Sequence, residues 1–268
     1  MDERRTALVT IAHADDLAFF CAGRVVTWVD EGWRVVVVRV TNDDKDSFGL
    51  GKTETERRNS AEFRRAAEIL GVAELEELGY VTDTLGDCSE LELRERLIYL
   101  YRKHRPYATM SFDPYGVFGE DNQDHIKVAQ AADEAYWTAM FDKHHPEHFD
   151  QGLEPHGVFE RWYFARRLLE VTEVIDVASA LDRMIAAVAT HETMVSHMVH
   201  QWQMQAATAG LTLPLLETAG GDLDRLADLV VRAGCRETGK RHGFEYAEEY
   251  RVARSPVAFL ARHSDPPE

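Results

Sequence analysis

The chain has 268 residues, 45% of them hydrophobic, and a formal charge of -17 at pH 7. That length suits one large domain or a domain with an appended subdomain, and the acidic balance excludes a nucleic-acid partner, which needs a basic footprint. No run of about 18 apolar residues is present to span a membrane. Met1-Asp2-Glu3-Arg4-Arg5 leads into the first strand with no apolar leader, and Cys21, Cys88 and Cys235 form neither a disulfide framework nor a C-x-x-C knuckle, so a cytoplasmic location is expected.

Residues 6–12 read as a β-branched first strand. A helix follows from Leu17 to Glu31 and stops at Gly32, a C-cap. Trp33–Val40 is a strand so rich in valine that both of its faces must be covered. A polar loop from Thr41 to Thr53 leads to a helix over Glu54–Leu70, closed by Gly71. Within it Arg57, Arg58, Arg64 and Arg65 interleave with Glu56, Glu62 and Glu68, the pattern of a solvated helix face. A short strand near Leu75–Leu78 and a helix over Glu90–His104 follow. Pro106 separates that helix from a strand over Tyr107–Phe112.

Asp124 or His125 opens a helix that runs to Met140. His144–His156 reads as a solvated loop despite the grouping of His144, His145 and His148. Phe159–Arg166 and Glu173–Val177 read as strands joined by a turn. Ser179–Gln205 is one long helical stretch, Leu213–Gly221 breaks it, Asp222–Ala233 is a further helix, and a last element lies near Phe244–Ala253. Strand–helix alternation implies right-handed crossovers, hence an α/β fold with a mostly parallel sheet and helices on both faces. We expect a core over residues 1–190 and a C-terminal helical extension, 191–268, packed on it. Met194 with Met198, and Leu223 with Leu226 and Val230, need a surface to bury against, whether the cleft or an oligomer interface.

The chemistry concentrates where the first strand ends, at His13-Ala14-Asp15-Asp16. Bare charges are prohibitive inside a buried strand. At the carboxyl edge of an open α/β sheet, where ligands bind, they cost little. His13 and Asp16 can hold one metal there, leaving Asp15 free as a base. Other signals are weak. Gly49-Leu50-Gly51-Lys52-Thr53 lacks the first glycine of a phosphate-binding loop, since position 46 is Asp46. Ser60, Ser89 and Ser196 lie in no G-x-S-x-G elbow. Nor does a G-x-G-x-x-G follow the first strand, which disfavours the rival reading of a metal-free nucleotide-binding domain.

Ala12-His13-Ala14-Asp15-Asp16-Leu17 resembles the A/P-H-P-D-D-E signature of the LmbE-like (PIG-L) superfamily of zinc-dependent N-deacetylases. Ala14 stands for the usual proline and Leu17 for the usual glutamate. Asn122-Gln123-Asp124-His125 resembles the second family motif, H-x-D-H, with Asn122 in place of its first histidine. The resemblance runs well through about residue 140. It continues weakly through Glu160-Arg161-Trp162-Tyr163 and Asp182-Arg183, and returns at Tyr246-Ala247-Glu248.

It implies a Rossmann-like core and a zinc ion held by His13, Asp16 and His125. It further implies Asp15 as general base, Asp124 as the support of a ligand histidine or of a neighbouring group, and a small N-acyl substrate, an amino sugar or sugar conjugate. The oxyanion donor then falls to Asn122, or to a histidine among His191, His197 and His200; for those three a polar helix face is the plainer reading. Tyr115 and Phe118, in the loop after the Tyr107–Phe112 strand, are placed at the cleft mouth, either as substrate platforms or as simple loop packing. An amidase of the same fold acting on a non-sugar amide stays open, as does a homo-oligomeric state.

Overall fold

The computed structural model describes residues 4–261. The strands are β1 (Thr6–Ile11), β2 (Arg34–Thr41), β3 (Glu74–Tyr80), β4 (Ala108–Phe112), β5 (Glu160–Phe164), β6 (Glu173–Asp176) and β7 (Ala247–Arg254). Before the C-terminal third the helices are α1 (Asp16–Phe20), α2 (Ala22–Asp30), α3 (Lys52–Leu70), α4 (Glu90–His104) and α5 (Gln123–Thr138). After β6 come α6 (Leu181–Ala189), α7 (Glu192–Ala209), α8 (Pro214–Ala219), α9 (Leu223–His242) and α10 (Val257–Leu260). Among the described residues no helix is long and apolar enough to cross a membrane.

One sheet of seven strands runs in the order β3-β2-β1-β4-β5-β7-β6. The first five positions are parallel, as strand–helix alternation requires, and β7 is antiparallel to both its neighbours. The chain builds outward from β1 to β3, then returns to place β4 on the other side of β1. The gap between the ends of β1 and β4 is therefore a topological switch point, where ligands of open α/β sheets bind. Val35–Val38 are fully buried, so the valine run is covered on both faces.

Several expectations change in detail. The helix expected over Leu17–Glu31 is two helices, broken at Cys21. The break is held by Glu248 of β7, whose Oε1 and Oε2 accept from the backbone N–H of Gly23 and Arg24, each at 2.9 Å. This carboxylate satisfies donors that a helix start leaves free. The stretch expected over Ser179–Gln205 is also two helices, parted at Thr190-His191. There Glu62 of α3 accepts from the Thr193 backbone N–H at 3.1 Å and from Thr193 Oγ1 at 2.7 Å. Glu62 is thus buried rather than part of a solvated face.

Residues 213–221 carry the short helix α8 with Pro214 in its first turn. Strands β5 and β6 are not joined as a pair, because β7 lies between them. The segment after residue 190, expected to be helical, therefore also gives a strand to the sheet. His148 is buried and not solvated: Nε2 lies 2.7 Å from Glu95 and Nδ1 lies 3.1 Å from Arg102 Nη1.

Candidate active site

His13 and Asp16 follow β1, and His125 sits in the first turn of α5, beyond β4. The turn after β1 is closed by Asp16 itself, whose Oδ2 accepts from the N–H of Ala12 at 3.0 Å and of His13 at 2.8 Å. Asn122 caps α5 by accepting from the Asp124 N–H at 2.9 Å. These two local devices bring the strand-end motifs together across the switch point.

His13 Nδ1 lies 3.1 Å from His125 Nε2, and His125 Nε2 lies 3.3 Å from Asp16 Oδ1. The outer nitrogen of each ring faces a different carboxylate. His13 Nε2 is 3.3 Å from Asp124 Oδ2, and His125 Nδ1 is 2.9 Å from Glu120 Oε2. Carboxylates only accept, so Asp124 and Glu120 favour a proton on the outer nitrogen of each ring. With the protons there, the two inner nitrogens turn lone pairs toward each other beside Asp16, an arrangement that a cation or an added proton between them would satisfy. Potential ligand atoms of His13, Asp16 and His125 all lie within 4.8 Å of one another, and all three residues are buried. Two imidazoles and one carboxylate, each ring held by a second carboxylate, fit a zinc site with one position left for water.

The carboxylates around the cluster favour positive charge within it. Burial disfavours a charged His125 ring, but the Asp16 and Glu120 carboxylates outweigh it and lift its pKa to about 9. His13 is likewise raised against its burial, by Asp124 and Asp16. Burial and the adjacent Asp16 charge push Asp15 up to about 7. The ring of His125 stacks on Phe112 of β4, with centroids 3.9 Å apart, which fixes its plane.

The cleft over this cluster encloses about 330 Å³. Asp15, Asn122 and Asp46 give it polar groups, Phe19 and Phe20 of α1 form one side, and Met194, Met198, Gln201 and Trp202 of α7 form another. A larger cavity of about 550 Å³ adjoins it, sharing Phe19, Phe20 and Arg166 but none of the clustered ligands.

His13, Asp15, Asp16, Asn122 and His125 all line the cleft; Asp124 stands behind His13. His191, His197 and His200 do not line it. His191 is fully buried with neither ring nitrogen hydrogen-bonded, His197 Nε2 is 2.8 Å from Gln201 Nε2, and His200 stacks on Phe48. Tyr115 is 62% exposed beneath Arg251 and takes no part in the cleft wall. The side chain of Phe118 lies outside the described residues.

Sequence reasoning missed Glu120, Arg166, Asp43 and Asp46. Arg166 lines the cleft, and its Nε lies 3.2 Å from Glu120 Oε1, which extends the His125–Glu120 pair toward solvent. Asp43 and Asp46 belong to the acidic loop after β2, the strand beside β1; that adjacency was the available signal.

Strand-end side chains thus meet at the switch point of a mostly parallel sheet, the architecture of an open α/β domain. Residues 8–136 match the family model described as PIG-L: GlcNAc-PI de-N-acetylase, and the chain carries a PIG-L domain over that span. The whole chain is similar in fold to N,N'-diacetylchitobiose deacetylase from Pyrococcus horikoshii, at 19% identity and TM-score 0.74, over 98% of this chain and 88% of that one. It is also similar to GalB, the 4-carboxy-2-hydroxymuconate hydratase of Pseudomonas putida KT2440, at 19% identity and TM-score 0.66, over 94% and 97%. A third likeness is to the zinc-inhibited form of teicoplanin deacetylase Orf2, at 13% identity and TM-score 0.57, over 93% and 98%. At these identities the likeness concerns the fold.

Proposed function

We propose that this protein is a zinc-dependent N-deacetylase, a hydrolase that removes an N-acyl group, acetyl in the simplest case, from a small amino sugar or sugar conjugate. The observation that carries this reading is the convergence of His13 Nδ1, His125 Nε2 and the Asp16 carboxylate in a buried cleft, with Asp15 beside them. The PIG-L domain and the deacetylases among similar folds support it.

A zinc ion bound there would acidify a water and polarise the acyl carbonyl. Asp15 accepts the proton of the attacking water and passes it to the departing amine. The developing oxyanion needs a donor. Asn122 Oδ1 is committed to the α5 cap, which leaves its NH₂ group for that role. Asp124 beside His13 and Glu120 beside His125 would favour the tautomers that leave the inner nitrogens free for a metal. Residues 1–190 supply the chemistry on this reading, and residues 191–268 shape the cleft through α7.

The apolar wall of Met194, Met198 and Trp202 favours a second reading, an amidase acting on a non-sugar amide with an apolar substituent. Acetate and amine release by the zinc-loaded protein, over a panel of N-acetylated sugars and non-sugar amides, tests both. Cleavage confined to sugars supports the first reading and cleavage confined to non-sugar amides the second. No cleavage of any amide would overturn the hydrolase reading.

A further inference from the structure

Where the resembled signature has proline, this chain has Ala14, and alanine keeps the backbone N–H that proline lacks. That N–H is used. It donates to Asp43 Oδ1 at 3.1 Å inside the protein. Asp43, in the loop after β2, is almost wholly buried and has a φ of 55°. The left-handed region is uncommon for a residue other than glycine. Such strain persists only where the surroundings enforce it, and here they do. Arg39 Nη1 donates to Asp43 Oδ2 at 2.8 Å, and Asn59 Nδ2 donates to the Asp43 carbonyl at 3.0 Å. Two residues earlier, Thr41 grips the Ala12 carbonyl with its N–H at 2.9 Å and its Oγ1 at 2.8 Å. The end of β2 and the loop after it thus clasp the chain on both sides of His13, at Ala12 through Thr41 and at Ala14 through Asp43.

We infer that Asp43 is a positioning residue for the metal ligands, its hydrogen bond to Ala14 doing the work that a proline ring at position 14 would otherwise do. A proline fixes its own φ; an alanine turn between His13 and Asp16 needs an external brace. The inference rests on the zinc-site reading. It differs from a purely structural role for Asp43 as the partner of Arg39, because it ties Asp43 to residue 14 and not to charge.

The test measures zinc affinity of the full-length chain by competition with a chromophoric chelator, with circular dichroism as the check on folding. Asp43→Gly should bind zinc at least about 10-fold more weakly, the scale of losing a group that orients a ligand. Asp43→Asn, which keeps an acceptor for the Ala14 N–H, should stay close to wild type. Adding Ala14→Pro to Asp43→Gly should restore affinity to near the wild-type value. Undiminished affinity in Asp43→Gly overturns the inference. So does an Asp43→Asn loss as large as that of Asp43→Gly, which would assign the effect to the Arg39 ion pair. If Asp43→Gly does not fold, the double variant decides: recovery of folding and zinc binding supports the brace, and failure of both rejects it. A wild-type chain that binds no zinc would instead reject the metal-site reading.

Discussion

The carboxylate of Asp124 faces the ring of His13, 3.3 Å away, and not the ring of its own neighbour His125. Successive residues on a helix point about 100° apart, so the Asp124 carboxylate points away from the His125 ring. One helix start instead delivers one candidate ligand, His125, and, separately, the acceptor for the other, His13. Asp124 is itself held by the backbone N–H of Asp83 at 2.6 Å and of Leu85 at 3.2 Å, which ties the loop after β3 into the site.

On the proposed reading His125→Ala should abolish stoichiometric zinc, because it removes one of the three proposed ligands. Asp124→Asn and Glu120→Gln should retain zinc but with affinity lowered by about 10- to 100-fold. Elemental analysis and chelator competition read both effects. Full zinc retention in His125→Ala would remove that residue from the site.

Asp15→Asn should keep the metal and lose turnover by about 100-fold or more. In the wild type, kcat/KM should fall on the acid side as Asp15 takes up a proton. Burial and Asp16 place that pKa at about 7, and a cation beside it favours the carboxylate and moves the limb lower. A variant with bound zinc and near-normal turnover would dismiss Asp15 as the base.

His191 couples stability to pH. Burial lowers its folded pKa to about 4, below the ordinary value of about 6.5 kept in the unfolded chain. The unfolded state therefore binds more protons between those values. Stability is full above pH 6.5, falls as pH drops toward 4 and loses roughly 3 kcal/mol across the window. His191→Leu should show a shallower decline over that range in urea titrations at stepped pH. Parallel wild-type and variant curves would show that His191 does not titrate this way.

Gly23→Ala should destabilise the fold by about 2 kcal/mol, the scale of an overpacked core. An added Cβ would lie 2.5 Å from Val177 Cγ1 and 2.7 Å from the Glu248 carboxyl carbon, forcing that carboxylate off the α2 N-terminus. The midpoint of chemical denaturation measures this. An unchanged midpoint would mean that β7 can shift without cost.

Most of the site was legible because its residues sit where two short motifs meet strand ends. His13, Asp15, Asp16 and His125 combine a residue type with a topological position, and both can be read along the chain. Glu120 and Asp43 could not be found that way. Each acts through a partner distant in sequence or through a backbone N–H, and neither relation leaves a periodic trace. The helix breaks at Cys21 and at Thr190 were hidden for the same reason. Their cause is a carboxylate from elsewhere, Glu248 and Glu62, while local hydrophobic spacing continued across both breaks. The strand order at β5 and β6 could not be read at all, since nothing local announces that β7 will lie between these two strands, which follow one another in the chain.

That late strand has a consequence for how the protein is made. Both strand-end motifs have been synthesised by residue 125, yet β5 gains its second neighbour only when residues 247–254 have left the ribosome. Until then the nascent sheet presents β5 as an open edge, and β6 has no partner strand. Unpaired edges of this kind are templates for pairing with other chains. Translation that stalls before the final strand leaves a chain with its chemistry in place and its sheet unsealed. The net charge of -17 opposes such pairing, since like-charged chains repel one another.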